Sequence, residues 1–425
     1  MNFNTLPSLI ALAILVVVFG AILRQGTSER LHLWLAGWIL VLVHFVAQFV
    51  DVGQGLWGRL TSAVSLNALE LASIAFLISV SGAAPNLRRQ LLLATVIGVP
   101  AILYTNAVIW DVTRPIFYYG VIVLALAGAL LVIWNFCRKI TPYVTVMSTG
   151  CLGLSCGMLW AVSRGKPELG ILFLLAAFNF TVAALFWQRF RRSTVGVLTT
   201  VSGFAAWGAV FPTGMLLTIY APSLHVESEA WNIPKYFVAA GMILILLEDQ
   251  IQKSEYLAYH DELTGVPNRR LLQDRLEQAL ARASRRGNKV AVLLLDLDHF
   301  KQVNDTFGHR IGDLTLQQVV TRLTSRMRVS DTLARSGGDE FTVVSDVADA
   351  EGAQVLISNL ETAFTVPFKL EGKLIRTGLS IGLALYPDDG SVPDELYAAA
   401  DQAMYVSKRA NRSPWKSTTL SQFRM

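Results

Sequence analysis

The stretch Arg335-Ser336-Gly337-Gly338-Asp339-Glu340-Phe341 decides how the second half of this chain of 425 residues folds. It is typical of a tight turn between two strands, whose arms we place at residues 331–335 and 341–344. Glycine has no Cβ atom, so the paired glycines allow positive φ angles and let a phosphate approach the backbone. The two acids that follow can hold a divalent metal beside that phosphate. The turn therefore predicts a nucleotide site if partner residues lie elsewhere.

Composition divides the chain into an apolar half and an ordinary half. Hydrophobic residues make up 53% of the chain and the mean hydropathy is +0.46, which is too apolar for an ordinary soluble protein. The excess lies almost wholly before residue 248, in repeated runs of about 20 residues, each long enough to cross a bilayer. We predict an all-α polytopic transmembrane bundle of about nine helices over residues 1–247, a sensor or anchor. The candidate spans are residues 7–23, 31–50, 63–80, 91–110, 116–136, 144–162, 169–187, 195–220 and 236–247.

The basic residues between these spans predict the orientation. If the N-terminus is outside, the inner loops carry Arg24, Arg30, Arg88, Arg89, Arg138, Lys139, Arg189, Arg191 and Arg192. The outer side then carries only Arg59, Arg114, Arg164, Lys166 and Lys235. This bias follows the positive-inside rule. We therefore predict a multi-pass protein of the cytoplasmic (inner) membrane whose second half lies in the cytoplasm. No basic stripe with interleaved aromatic residues indicates nucleic acid binding.

Several polar and aromatic residues of the apolar half need an interpretation. His44, Asn67 and Glu70 lie within predicted spans, where burial of such groups is costly. They form either a small-molecule or proton-sensing site or hydrogen bonds between helices. Tryptophans near span ends are typical of anchors at the membrane interface, and this prediction covers Trp34, Trp38, Trp110, Trp134 and Trp231.

Beyond the last span the periodicity of the sequence changes. Residues 248–260 are polar with apolar residues near helical spacing, which predicts a linker helix that either pairs with a second copy or simply connects. Residues 261–413 alternate helical patterns with strands, among which 289–297 is a continuous apolar run typical of a buried central strand. We predict an α+β domain with its helices on one face of the sheet, followed by a tail at residues 414–425.

Acids at the end of the central strand suggest a metal site. Asp296 and Asp298 point to the same face because strand side chains alternate. Asp296, Asp339 and the carbonyl of Leu297 can chelate Mg²⁺, which takes few protein carboxylates and leaves positions for phosphate oxygens. Lys301, at the start of the next helix, suits a triphosphate.

Two further pairs of residues could bind a nucleotide. The amide of Asn304 and the carboxylate of Asp313 together match the edge of a guanine. Lys408 and Arg412, four residues apart on the last helix, can meet phosphates on one face. Taken alone, Asp261 and Asp313 are equally typical of helix caps.

The second half resembles the GGDEF domain family, the bacterial diguanylate cyclases, over about residues 248–413. The matching stretches are DELTGVPNRR at 261–270, DLDHFKQVNDTFGHRIGD at 296–313, GGDEF at 337–341, SIGLA at 380–384 and ADQAMYVSK at 400–408. The resemblance implies a multi-domain protein whose α+β GGDEF domain has a fold like the palm of nucleotide polymerases and class III cyclases. It also implies that two GTP molecules become cyclic di-GMP and two pyrophosphates, in signalling that regulates biofilm formation and motility.

The resemblance assigns catalytic roles to residues around the glycine turn. Asp296, the Leu297 carbonyl and Asp339 would hold Mg²⁺, with Mn²⁺ as an alternative, and Glu340 would support a second metal. Asp339 would act as the base for the attacking 3′-hydroxyl or stand beside it. Lys301 would stabilise charge in the transition state. Because phosphoryl transfer depends mostly on positioning and charge neutralisation, these roles agree with the chemistry of the side chains.

The resemblance also assigns residues that bind substrate and product. GTP would be bound by Asn304, His309, Asp313, Lys408 and Arg412. Arg328 and Asp331 match the family's RxxD site for inhibition by cyclic di-GMP, where arginine forks to guanine and phosphate. Since one domain holds one GTP and the product joins two, the resemblance implies a homodimer.

Two alternatives to a membrane-bound cyclase stay open. In the first, the domain is catalytically silent and acts as a membrane receptor for GTP or cyclic di-GMP. In the second, the protein is a transporter or channel with a cyclase-like regulatory tail. The spans show no evident inverted repeat, which counts against the second alternative.

Overall fold

The computed structural model describes residues 5–25, 29–51, 53, 55–81, 87–136, 142–190, 193–221, 223–224, 226 and 229–410. Internal contacts divide the chain into two compact units, Met1–Asp249 and Gln250–Met425. Each unit has hydrophobic clusters of its own.

Within the described residues, nine long helices dominate the first part of the chain. They are α1 (Leu6–Gln25), α2 (Glu29–Val50), α3 (Gly55–Val80), α4 (Leu87–Ile109), α5 (Pro115–Phe136), α6 (Pro142–Ser163), α7 (Glu168–Phe190), α8 (Val195–Tyr220) and α9 (Ile233–Tyr259). Eight of them are long and apolar enough to cross a membrane. In the remaining helix, α5, the apolar stretch among the described residues is shorter and covers Pro115–Leu131. The chain is thus compatible with a multi-pass membrane protein, as the apolar runs predict.

Helix α9 joins two segments that the sequence separates. It begins at Ile233 and runs without interruption to Tyr259. The predicted last span at 236–247 and the predicted linker helix at 248–260 are therefore one continuous helix. The apolar helix that contains this predicted span is also longer than predicted, at Ala230–Tyr259.

Trp34 and Trp38 lie in the core of the first unit, at 1% and 0% exposure. The indole of Trp38 meets the edge of Phe76 with ring centroids 5.4 Å apart, and Trp34 Nε1 donates to Ser79 Oγ at 3.0 Å. Gly37 allows this packing, since a Cβ there would lie 2.5 Å from the Phe76 ring. The prediction of interfacial anchors is therefore wrong for these two tryptophans, because α2 packs closely against α3.

The three polar residues predicted within spans all bond to a neighbouring helix. His44 Nδ1 on α2 lies 2.8 Å from Ser65 Oγ on α3. The other two form pairs between α3 and α4, namely Asn67 with Asn106 and Glu70 with Thr105. These contacts are the hydrogen bonds between helices that one of the two interpretations predicts, while Glu70 Oε2 is buried and has no partner among the described residues.

The second unit contains a four-stranded antiparallel sheet in the order β2-β3-β1-β6, with a separate β4–β5 hairpin. The strands are β1 (Lys289–Asp298), β2 (Thr332–Gly337), β3 (Glu340–Val347), β4 (Phe368–Leu370), β5 (Lys373–Ile375) and β6 (Gly378–Tyr386). The helices are α10 (Arg269–Arg286), α11 (Phe300–Phe307), α12 (His309–Thr324), α13 (Ala350–Thr362) and α14 (Pro393–Ala410). This α+β architecture and the central place of β1 are as predicted.

Helices cover both faces of this sheet, so the prediction of helices on one face is wrong. On one face, Ala291, Leu293 and Leu295 of β1 share a core with α12 and α13. On the other face, Val290 and Val292 share a core with α10 and α14. The physical reason is the apolar run of β1, whose alternating side chains need an apolar partner on each side.

Candidate active site

The end of β1 lies against the glycine turn. Strand register sets Asp296 opposite Glu340, and the Leu297 N–H donates to the Asp339 carbonyl at 3.3 Å. Gly338 occupies the turn with φ of +49°, a conformation that glycine adopts without strain. The four residues assigned to a metal from the sequence therefore lie together, and Glu340 is the most exposed of the acids.

Asp296 is the most deeply buried acid of this group, at 5% exposure. Its Oδ2 accepts a hydrogen bond from Lys408 Nζ at 2.8 Å, while its Oδ1 is buried and has no partner among the described residues. An unpartnered buried carboxylate oxygen is costly, so the site has an open place for a cation or a donor. Hydrogen bonding to Asp296 raises the pKa of Lys408, which keeps that ammonium charged.

The carboxyl groups of Asp339 and Asp298 are both affected by the negative charge of Asp296. Burial, together with the charge of Asp296, raises the pKa of Asp339. Burial also raises the pKa of Asp298, with Asp296 adding to the effect, although the hydroxyl of Ser380 donates to Asp298 Oδ1 at 2.6 Å. A cation placed here would relieve this repulsion.

The donor set fits Mg²⁺ rather than a metal held by protein side chains alone. Among the described residues, no cluster of three or more His, Cys, Asp or Glu side chains is arranged to hold a metal. Mg²⁺ needs only one or two carboxylates because phosphates and water complete its octahedron. Asp296, Asp339 and the Leu297 carbonyl would supply that number of protein ligands.

Helix α14 brings Lys408 to Asp296 through an unusually close contact with β6. A Cβ on Gly382 would lie 2.0 Å from the Ala400 carbonyl oxygen and 2.3 Å from the Met404 nitrogen. Only glycine therefore permits this distance between helix and strand. Arg412, the other predicted phosphate ligand on this side, lies outside the described residues.

The residues predicted to bind the guanine lie on α11 and α12. Asn304 is half-buried against Gly312, where a Cβ would lie 1.8 Å from Asn304 Oδ1. Asp313 follows Gly312 directly, and His309 lies one helical turn before Asp313. Both are exposed, as is Lys301 in the first turn of α11. Asp313 lies inside α12, so the interpretation of this residue as a helix cap is wrong.

Arg335 anchors the glycine turn, a role that the sequence did not suggest. Its Nε and Nη2 donate to the Gly338 carbonyl at 2.9 and 2.6 Å, and its Nη1 donates to Asp261 Oδ1 at 2.9 Å. The Arg335 side chain is only 13% exposed. The partners lie 74 residues apart in sequence, so no local pattern reveals the pair.

Asp261 closes a turn and does not cap a helix. Its Oδ1 accepts hydrogen bonds from the backbone N–H and the hydroxyl of Thr264. Burial alone would raise the pKa of Asp261, but the hydrogen bonds from Thr264 and Arg335 outweigh it and lower the pKa. The ionised Asp261 carboxylate therefore stabilises the folded state fully near neutral pH. This stabilisation is lost as the pH falls through the lowered pKa of Asp261 in the folded protein.

We expect Arg335→Met to loosen the turn. The substitution removes the side-chain donors of the Gly338 carbonyl and leaves the Asp261 carboxylate with only the hydrogen bonds from Thr264, at a cost of about 1–3 kcal/mol. Hydrogen exchange on the full chain should then be faster in peptides that cover residues 336–339. Arg282→Met is a matched control, since Arg282 reaches Asp346 only at 3.9 Å on the surface. Equal exchange in the Arg335 variant and the unchanged protein would contradict the anchoring role.

The RxxD segment forms a closed turn before β2. Asp331 Oδ2 accepts from the Arg328 N–H at 2.8 Å, and the Asp331 N–H donates to the Arg328 carbonyl at 3.0 Å. Ser345 Oγ fixes the other carboxylate oxygen of Asp331 at 2.7 Å. The side chain of Arg328 is exposed. Asp331 therefore shapes the turn, and Arg328 is accessible to a ligand.

Comparison with known proteins matches this unit to one family. Residues 258–414 match the family described as "Diguanylate cyclase, GGDEF domain". The bifunctional diguanylate cyclase/cyclic di-GMP phosphodiesterase MucR of Pseudomonas aeruginosa is 45% identical over 157 residues, which are 37% of this chain and 23% of MucR. Diguanylate cyclase TpbB of the same species is 39% identical over 168 residues, which are 39% of either chain. The crystal structure of the TpbB GGDEF domain, 38% identical, aligns with a TM-score of 0.35 over 36% of this chain and 95% of that one. The chain thus spans well under half the length of these two curated relatives.

Proposed function

Because residues 258–414 form a GGDEF domain, we propose that this protein is a membrane-bound diguanylate cyclase. It would convert two GTP molecules to cyclic di-GMP and two pyrophosphates. The observation that carries the proposal is the buried, unpartnered Oδ1 of Asp296 beside Asp339 and the glycine turn. That arrangement supports a metal-assisted phosphoryl transfer, in which positioning and charge neutralisation supply most of the catalysis.

Asp296, the Leu297 carbonyl, Asp339 and Glu340 would hold Mg²⁺ or Mn²⁺. When bound, the metal would neutralise phosphate charge and make the 3′-hydroxyl more acidic. Asp339 lies at the turn with a raised pKa, which suits a group that accepts the hydroxyl proton or stands beside the acceptor. Lys301, in the first turn of α11, would stabilise charge on the transferred phosphate.

The guanine would be held between α11 and α12. The Asn304 amide and the Asp313 carboxylate supply a donor and acceptors that match the guanine edge. His309, one turn before Asp313, is placed to contact the same nucleotide. Lys408 would hold phosphates beside the Asp296 carboxylate, to which it already bonds.

The product joins two nucleotides, so the reaction would need two domains facing each other. We propose that the active form is a homodimer, with the described site contributed once by each copy. The positive-inside bias supports a place in the cytoplasmic membrane, with the N-terminus outside and the GGDEF domain in the cytoplasm. There the domain would have access to GTP.

Cyclic di-GMP formation by the full chain tests the proposal. The purified protein in lipid nanodiscs, with GTP and Mg²⁺, should form cyclic di-GMP, identified by mass spectrometry. Removal of the metal with a chelator should stop the reaction, and its return should restore it. If GTP binds but no product forms at any protein concentration, the proposal is wrong and a silent receptor for GTP or cyclic di-GMP takes its place.

We expect Arg328→Ala to relieve inhibition by the product. Because this exposed arginine would fork to the guanine and phosphate of cyclic di-GMP, its loss should raise the plateau of product several-fold. The initial rate should stay unchanged, since Arg328 lies outside the metal site. Arg326→Ala, a change at an exposed neighbour on the same segment, is the control. An unchanged plateau would refute the assignment of the inhibitory site.

A further inference from the structure

A cavity of about 460 Å³ lies within the first unit, Met1–Asp249. Thr5 at the start of α1, Gln48 near the end of α2 and Glu168 at the start of α7 line it. The start of α9 completes its wall. In the proposed topology all of these helix ends face the outer side of the membrane, so a ligand would reach the cavity from that side.

Lys235 brings a buried positive charge to this cavity. The residue is only 8% exposed, and its Nζ donates to Asn232 Oδ1 at 2.6 Å. The ammonium also lies over the rings of Phe45 and Trp207, 4.8 and 5.6 Å from their centroids. An ammonium has three donors, and among the described residues this one makes a single hydrogen bond, to a neutral oxygen. It therefore keeps capacity for an anionic group.

Glu229 brings a negative charge to the same cavity. Its Oε2 accepts from Ser8 Oγ at 2.7 Å, whereas its Oε1 is buried and has no partner in the part of the chain that the structure describes. Among the described residues, no ion pair joins Glu229 to Lys235, although both line the cavity. A buried carboxylate oxygen without a donor is costly, and a ligand with an N–H group would satisfy it.

We propose that this cavity binds a small zwitterion of the amino-acid class. Besides Glu168 at the start of α7, the cavity is lined by Glu229 and Lys235, whose opposite charges do not pair with each other. A ligand that carries an ammonium and a carboxylate would satisfy both of these groups. The ammonium would bond to Glu229 Oε1 and the carboxylate to Lys235 Nζ. The remaining wall is largely apolar, with Leu69, Leu175 and Phe211, so the preferred ligand has an apolar side chain.

Ligand binding would act on the start of α9. Ser8 Oγ accepts from Asn232 Nδ2 at 3.1 Å and from the Tyr236 hydroxyl at 3.0 Å, while it donates to Glu229. This network ties α1 to the first turns of α9. A ligand that bonds to Glu229 and Lys235 would therefore change the hydrogen bonds that hold these helix ends together.

Binding to the full chain in nanodiscs tests the proposal without any need for GTP or catalysis. The common L-amino acids are titrated singly by calorimetry, and at least one with an apolar side chain should bind. For L-leucine, the matched probes are isoamylamine, which lacks the carboxylate, and 4-methylpentanoate, which lacks the ammonium; the corresponding pair is used for any other ligand found. Each single-charge probe should bind about tenfold or more weakly, because one charged hydrogen bond is lost.

Variants locate the site. Glu229→Gln and Lys235→Met should each weaken binding of the zwitterion about tenfold or more. Their matched controls are Glu255→Gln and Lys253→Met, at exposed positions of α9, which should bind as the unchanged protein does. The proposal is overturned if no amino acid binds, if the single-charge probes bind equally well, or if Glu229→Gln binds with unchanged affinity. The comparison of probes needs only the unchanged protein, so misfolding of Lys235→Met would not remove the test.

Discussion

Asp339→Asn should lower the rate of cyclic di-GMP formation at least about a hundredfold, the usual cost of removing one group that stabilises a transition state by charge. The amide has nearly the same shape, so the turn and its anchor by Arg335 should persist. It loses the charge that would hold the metal and the basicity that would serve the 3′-hydroxyl. Both losses act on the same step, because Asp339 lies beside Asp296 at the end of β1.

A matched control shows whether the loss of rate comes from the lost charge of Asp339 or from a general effect of an Asp→Asn change on the fold. Asp346 lies on β3, the strand that follows the glycine turn, but at the far end of the ladder opposite Val290, and its side chain is 47% exposed. Asp346→Asn should leave the rate within about twofold, as is usual for surface changes. Initial rates at saturating GTP and Mg²⁺ are the measurement. A rate for Asp339→Asn close to that of Asp346→Asn would show that the turn does not hold the reacting groups.

Local patterns predicted the elements of the second unit well. The apolar run of β1 and the paired glycines each fix their own backbone, so both appear where the sequence indicates. The alternation of side chains along β1 also predicted that Asp296 and Asp298 share a face. Such features depend on neighbours in the chain, which a single sequence displays.

Contacts between segments that are distant in the sequence could not be predicted from local patterns. The bond from Arg335 to Asp261 and the close approach of α14 to β6 at Gly382 join segments that have no common pattern. The same limit explains the error about Trp34 and Trp38, whose burial depends on the positions of Phe186 and Phe76 on other helices. Hydropathy shows that a helix is apolar, but it does not show which side faces a neighbour and which faces lipid.

Gly382→Ala should disturb the active site from a distance. The added Cβ would lie 2.0 Å from the Ala400 carbonyl oxygen, which is backbone and cannot rotate away. Helix α14 must therefore move away from β6, at a cost typical of overpacking, about 1–3 kcal/mol. Because Lys408 is carried by α14, the same movement should draw its ammonium away from Asp296. Activity and local stability should fall together.

Gly352→Ala is the control, because it makes the same change of residue type at a position where the added Cβ does not clash. At that position a Cβ would lie 3.5 Å from Asp349 Oδ1, an ordinary contact within the first turn of α13. Hydrogen exchange on the full chain should be faster in β6 and α14 for the Gly382 variant and unchanged for the Gly352 variant. The rate of cyclic di-GMP formation should follow the same order. If Gly382→Ala exchanged faster but kept its full rate, the contact between Lys408 and Asp296 would have no part in catalysis, and α14 would serve the stability of the sheet alone.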